Sequence, residues 1–176
     1  MKSVTAFVLS VLVGACVACG TADDVLQEQP KAKQTPVPYT GGPAIDKELQ
    51  PYVDLFMKDC EVRRLDCQDN LNKLKEIKVV DMEDKNKEDA EVTVGLCYSS
   101  LFSKRIHINR LALEYKGRYM QTLVYHELGH CMYDLDHEKK PDMLMSEIMP
   151  SMVVIVRDWQ TLLDDFFAAI EEENGP

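Results

Sequence analysis

The sequence predicts an α+β fold: a small mixed sheet packed on an N-terminal helix and a histidine-bearing helix, with a further helix at the C-terminus. Three observations predict it. Apolar residues recur at three-and-four spacing around residue 50 and again after Gly117, whereas residues 74–109 hold short runs that alternate or are rich in β-branched side chains. The order is one helix, three strands and two helices.

In residues 46–64 the apolar positions Leu49, Val53, Phe56, Met57 and Cys60 share one helical face, with Asp46 as the expected N-cap and Pro51 tolerated in the first turn. Residues 74–80 alternate weakly and residues 91–98 are rich in valine and threonine, so both are expected strands. The charged stretch 81–89 between them reads as a solvated connection. Residues 104–109 alternate polar with apolar and predict a third, half-buried strand, expected at a sheet edge. After Gly117, the residues Met120, Val124, Leu128, Cys131 and Leu135 predict a core helix of some five turns with one polar face. Residues 156–173 repeat the helical pattern with Trp159, Leu162, Leu163, Phe166, Phe167 and Ile170, an aromatic and aliphatic stripe that reads as packing.

The chain has 176 residues, 30 acidic against 20 basic, and a net charge of −10. That is one domain, or one domain plus a tail, and a monomer is expected. Phosphate binding needs a clustered positive field, and no Lys/Arg-rich block is present, so nucleic acid is set aside as a partner. The long apolar run is confined to the N-terminus, which leaves no internal segment able to span a bilayer.

That run follows a basic start and ends in small residues, the layout of a secretory signal over residues 1–15. Its end, Val13-Gly14-Ala15-Cys16, resembles the lipobox of bacterial lipoproteins, in which the cysteine is acylated after cleavage. Cys19 is a second candidate, and an ordinary secretory signal ending near Ala18 is a third reading. The resemblance implies a lipid-anchored protein of the bacterial envelope, on the outer membrane in a diderm host. Residues 16–44 then form a lipidated cysteine and a Pro/Gly-rich tether reaching about 25–30 Å, and residues 45–176 form the domain. Four further cysteines remain in an exported chain, which favours disulfides. Three pairings are possible; Cys60 with Cys67 and Cys97 with Cys131 is the preferred one, and buried thiols remain an alternative.

The chemistry is concentrated in His126-Glu127-Leu128-Gly129-His130. Residues four apart on a helix lie one above the other, so both imidazoles can converge on one Zn²⁺ while Glu127 faces the open coordination position. A third ligand is needed, and Asp136 and His137 are the candidates. Cys131 falls on the other side of the helix, and His107 reads as a surface or rim residue.

From His126 to His137 the chain reads HELGHCMYDLDH, followed by Ser146-Glu147-Ile148-Met149-Pro150. This resembles the metzincins, whose pattern is H-E-x-x-H-x-x-G-x-x-H and then a Met-turn, and is similar to a group of bacterial lipoprotein zinc metallopeptidases. The resemblance is specific only over residues 126–150. It implies a zincin-like fold, one zinc on His126, His130 and His137, Met149 as the floor of the site, and peptide or protein substrates. In that scheme Glu127 takes a proton from water and passes it to the leaving amine. The substrate is expected to lie extended against residues 104–109. There are two departures. The third histidine is seven rather than six residues after His130, and Tyr133 replaces the glycine. Asp136 stands at the metzincin third-ligand position; if His137 is the ligand, Asp136 is expected to orient an imidazole or cap the turn.

Two rivals remain. Gly95-Leu96-Cys97 faintly resembles the cysteine strand of peptide deformylases. The other rival keeps the zincin fold as a non-catalytic binding or structural module.

Overall fold

The computed structural model describes residues 4–10, 42–82, 91–100 and 103–173, and these form an α+β fold. In chain order the elements are β1 (Val4–Ser10), β2 (Ala44–Ile45), α1 (Gln50–Arg63), α2 (Gln68–Asn72), β3 (Leu74–Val80), β4 (Glu91–Ser100), β5 (Ser103–Asn109), a 3₁₀ turn (Arg110–Glu114), α3 (Arg118–Tyr133) and α4 (Met152–Glu173). Cys16, Cys19, most of the tether and residues 83–90 of the charged connection lie outside the described residues. Among the described residues, no helix is long and apolar enough to cross a membrane.

The sheet order is β1-β4-β5-β3-β2. β3 runs parallel to both β2 and β5, β4 is antiparallel to β5, and β1 is antiparallel to β4. The sheet is therefore mixed. The expectation that residues 104–109 form an edge strand is corrected, because β5 lies between β3 and β4. Alternation along β5 reports that one face is covered, with Ile106 and Ile108 fully buried, and says nothing about lateral neighbours.

Opposed residues share a face of a sheet. Gly95 and Cys97 of β4 therefore lie with Ile108 and Ile106 on the side that meets α3. Leu96 and His107 point the other way. The helices collect on the first side, where α3 touches β4, β5, α1 and α4. Phe56 of α1, Tyr125 of α3 and Phe166 and Phe167 of α4 form the aromatic centre of the core, with Phe56 edge-on to Tyr125 at 5.2 Å. α3 is buried from Tyr119 to Tyr133, so its polar residues face the protein interior rather than solvent.

Several boundaries differ from expectation for physical reasons. Asp46 does not cap α1. Its carboxylate accepts from the Val79 N–H at 2.9 Å, so it ties the domain's first turn to β3. Ala44, assigned to the tether, already pairs with β3. α4 starts four residues early, at Met152, because Ser151 accepts at the helix start from the N–H of Val154 through its side chain and of Ile155 through its backbone. A kink at Asp158 then separates its first turns from the rest. The short α2 and the 3₁₀ turn carry too few residues to show a period.

Disulfides join Cys60 to Cys67 and Cys97 to Cys131. The first closes the loop after α1, and the second clamps β4 to α3 one residue beyond His130. Because the constraint on the unfolded chain grows with loop length, the two are expected to differ in worth: 34 residues separate the second pair and 7 the first. Replacing Cys97 and Cys131 by alanine should lower unfolding stability by about 2–4 kcal/mol, and replacing Cys60 and Cys67 by less. Denaturant titration of the two double variants checks the order; equal or reversed losses would contradict it.

Candidate metal centre

The site is built on the middle of α3. His126 and Glu127 are adjacent, His130 lies one turn further on, and the three are 0%, 0% and 5% exposed. The helix ends at Tyr133, and Asp134 takes the left-handed conformation (φ 56°). Its N–H donates to the His130 carbonyl at 3.1 Å and the Leu135 N–H to the Gly129 carbonyl at 3.3 Å, a nested pair of closures each one residue wider than in a Schellman turn. Lys104 of β5 grips the Asp134 carboxylate at 2.7 Å. This reversal brings His137 back over the helix.

Three imidazoles meet there. His126 Nε2 lies 2.9 Å from His130 Nε2 and 3.3 Å from His137 Nε2. A tetrahedral ion bound at the usual imidazole distance of about 2.0–2.1 Å separates its ligand atoms by about 3.3 Å, so the spacing suits a single small metal ion. The tautomers agree. The Leu144 carbonyl lies 2.7 Å from His126 Nδ1 and the Leu135 carbonyl 2.5 Å from His130 Nδ1. A carbonyl can only accept, so both Nδ1 atoms carry the hydrogen and both Nε2 atoms present lone pairs to each other. Such an arrangement calls for a cation between them, and the three histidines could hold a metal ion.

Electrostatics also keep the imidazoles neutral. Burial holds His126 well below its usual range, helped by its histidine neighbours, and lowers His130 to about 4. Burial lowers His137 as well, against the opposing charges of Glu147 and Asp136. Neutral imidazole is the form that binds metal.

Glu127 is buried with no hydrogen-bond partner for either carboxylate oxygen among the described residues, and burial raises its pKa well above the ordinary carboxylate range. Its carboxyl group lies against Gly95 of β4, whose missing Cβ leaves it room.

The remaining candidates are placed as follows. Asp136 is exposed and outside the histidine cluster, and backbone carbonyls rather than its carboxylate hold His126 and His130. The C-cap of α3 is Asp134. Cys97 and Cys131 are bridged to each other, which removes the thiol a deformylase-like site needs. His107 lies on the opposite face of the sheet, 3.3 Å from Glu76 and against the Tyr98 ring. Met149 is buried in the core. A second methionine, Met145, packs against Gly129, between the two histidines of α3; a Cβ there would lie 2.8 Å from its sulfur. The Ser146 hydroxyl donates to the Lys140 carbonyl and accepts from the Met143 N–H, folding the segment that presents Leu144 O to His126.

The sequence reading missed the carbonyls of Leu135 and Leu144, which leave no mark in side-chain identity, and Gly95, which did leave one as an isolated glycine in a β-branched run. No protein-family model matches the chain, and no curated protein or solved structure is similar to it.

The depressed histidines make the metal-free protein sensitive to acid. Below the usual pKa of 6.5 the unfolded chain binds protons that the folded site refuses, so stability falls as the pH drops from about 6.5 towards about 4. Glu127 works in the opposite direction, since its raised pKa binds a proton in the folded state, but one carboxyl opposes three imidazoles. Chelated protein should therefore lose stability steeply over this window in denaturant titrations, and His126→Ala/His130→Ala/His137→Ala should flatten the loss. An equally steep loss in the triple variant would contradict the assignment.

Proposed function

We propose that the protein is a zinc-dependent peptidase of metzincin-like type, held at the bacterial envelope by a lipid on Cys16. The observation that carries the reading is the convergence of three imidazole nitrogens on α3 and its C-terminal turn beside a buried carboxylate, Glu127, with no hydrogen-bond partner among the described residues. Three nitrogen ligands without thiolate, and with a coordination position left for water or substrate, match catalytic rather than structural zinc.

The metzincin resemblance gains support from the turn. In that pattern the third histidine follows the glycine by three residues. Here it follows the left-handed Asp134 by three, so the additional residue lies in the helix and the turn keeps its length.

A zinc ion held by His126, His130 and His137 would supply the Lewis acidity that activates water and polarises a carbonyl. The protein's own groups do the rest. Glu127 accepts the proton of the attacking water at a carboxylate oxygen and delivers it to the leaving amine. A nearby cation would favour its charged form against the cost of burial. β4 offers the substrate its backbone. In this reading export removes residues 1–15 and β1 with them, and the freed edge of β4 pairs with an extended peptide directly above Glu127. This places the substrate on β4 instead of residues 104–109. The tether lets a monomeric domain reach peptide or protein substrates near the membrane.

The test is Glu127→Gln in the zinc-loaded protein. It should retain about one zinc per chain and cut hydrolysis of a peptide library by at least about 10²-fold. An unchanged rate would remove Glu127 from the mechanism. A wild-type protein that binds zinc and cleaves nothing would favour the non-catalytic binding module.

A further inference from the structure

β4 carries a glycine at its centre, beside the register shift by which its pairing with β1 passes over Val94, and that shift asks no left-handed backbone of the glycine. Gly95 is not among the residues with positive φ, and glycine inside a strand weakens it by offering no side chain to pack. The reason is proximity. A Cβ at position 95 would lie 2.3 Å from Glu127 Oε1, 2.8 Å from its Cδ and 2.9 Å from its Cγ. These are the three nearest atoms, and all belong to one side chain.

Neither partner of this contact can easily withdraw. The Cys97–Cys131 bridge holds β4 to α3 two residues beyond Gly95, and β5 pairs with the strand through Gly95 and Ile108. Glu127 is fully buried on a helix whose neighbouring turns carry His126 and His130. An added methyl group would therefore push on the carboxyl end of Glu127, the softest member of the contact.

We propose that Gly95 is a positioning residue for Glu127: the bare backbone of β4 forms one wall of the carboxylate's pocket and sets where the carboxylate meets the substrate's water. The inference rests on the peptidase reading for its consequence in rate, and on geometry alone for the position of the carboxylate. It gives β4 two tasks. The outer edge of the strand holds the substrate backbone, and its inner face, through the absence of a side chain, fixes the proton-transferring group below.

The experiment is Gly95→Ala in the zinc-loaded exported chain. Its crystal structure should show the Glu127 carboxylate displaced by about 1 Å with the backbones of β4 and α3 unmoved, a misplacement on the scale that costs about 10²-fold in rate. On a peptide substrate, kcat should fall by about that factor with KM and zinc content little changed, since neither the edge of β4 nor the imidazoles are altered. In the Glu127→Asp background, whose shorter side chain withdraws the carboxyl group, the same substitution should cost less than about tenfold. If Gly95→Ala does not fold, adding Glu127→Ala should restore folding, because the clash is with that side chain. An unmoved carboxylate, an equal loss of rate in both backgrounds, or no restoration by Glu127→Ala would overturn the proposal. A wild-type chain inert on peptides whose Gly95→Ala variant shows the displaced carboxylate would refute the peptidase reading while leaving the positioning role intact.

Discussion

His126 and His130 point their Nε2 atoms at each other across 2.9 Å while their Nδ1 hydrogens are committed to the carbonyls of Leu144 and Leu135. Two lone pairs at that distance repel unless something positive lies between them, and burial makes protonation of either ring unfavourable. Much of the fold serves to hold this unfavourable arrangement. The pitch of α3 sets the two rings edge-on to each other one turn apart, the left-handed Asp134 turns the chain so that Leu135 and His137 return to the same place, and the Ser146 hydroxyl shapes the segment that delivers Leu144. A metal ion bound in such a cluster would couple its binding to folding.

The second organising contact is the approach of β4 to α3. The Cys97–Cys131 bridge and the bare backbone at Gly95 act two residues apart on the same face of the strand, one pulling it to the helix and the other allowing the approach. On the opposite side of α3, Gly129 plays a comparable part, admitting Met145 and Phe166 to within contact of the helix backbone. The histidine-bearing helix is thus gripped through glycines from both sides. That leaves its histidines and Glu127 little freedom, which suits a constellation that works only within narrow geometric tolerances.

What could be read from the sequence follows which interactions are local. The spacing of His126, Glu127 and His130 is set by helix pitch, and the apolar stripes around Phe56 and Phe166 by burial of one face, so α1, α3, α4 and the central strands were legible. The sheet order was not. Alternation in residues 104–109 records a covered face and carries no information on which strands flank it, hence the misplacement of β5 at an edge. Asp46 satisfied the composition of an N-cap, yet a tertiary partner, the Val79 N–H, took its carboxylate. The choice between Asp136 and His137 depended on where α3 stops, and a helix that ends through a left-handed aspartate rather than glycine gives only a weak signal. The carbonyls that orient the imidazoles belong to leucines and could not be seen at all.

X-ray absorption at the zinc edge bears on the metal centre itself, because it reports the ligand atoms whatever the substrate is. On protein purified without chelator and brought to one equivalent of zinc, the expected shell is three imidazole nitrogens at about 2.0–2.1 Å, one oxygen ligand completing it, and no sulfur. The imidazole contribution should fall by one in His137→Ala and remain whole in Asp136→Ala. Sulfur scattering, a shell dominated by carboxylate oxygen, or zinc lost to weak chelators would contradict a metal centre on His126, His130 and His137.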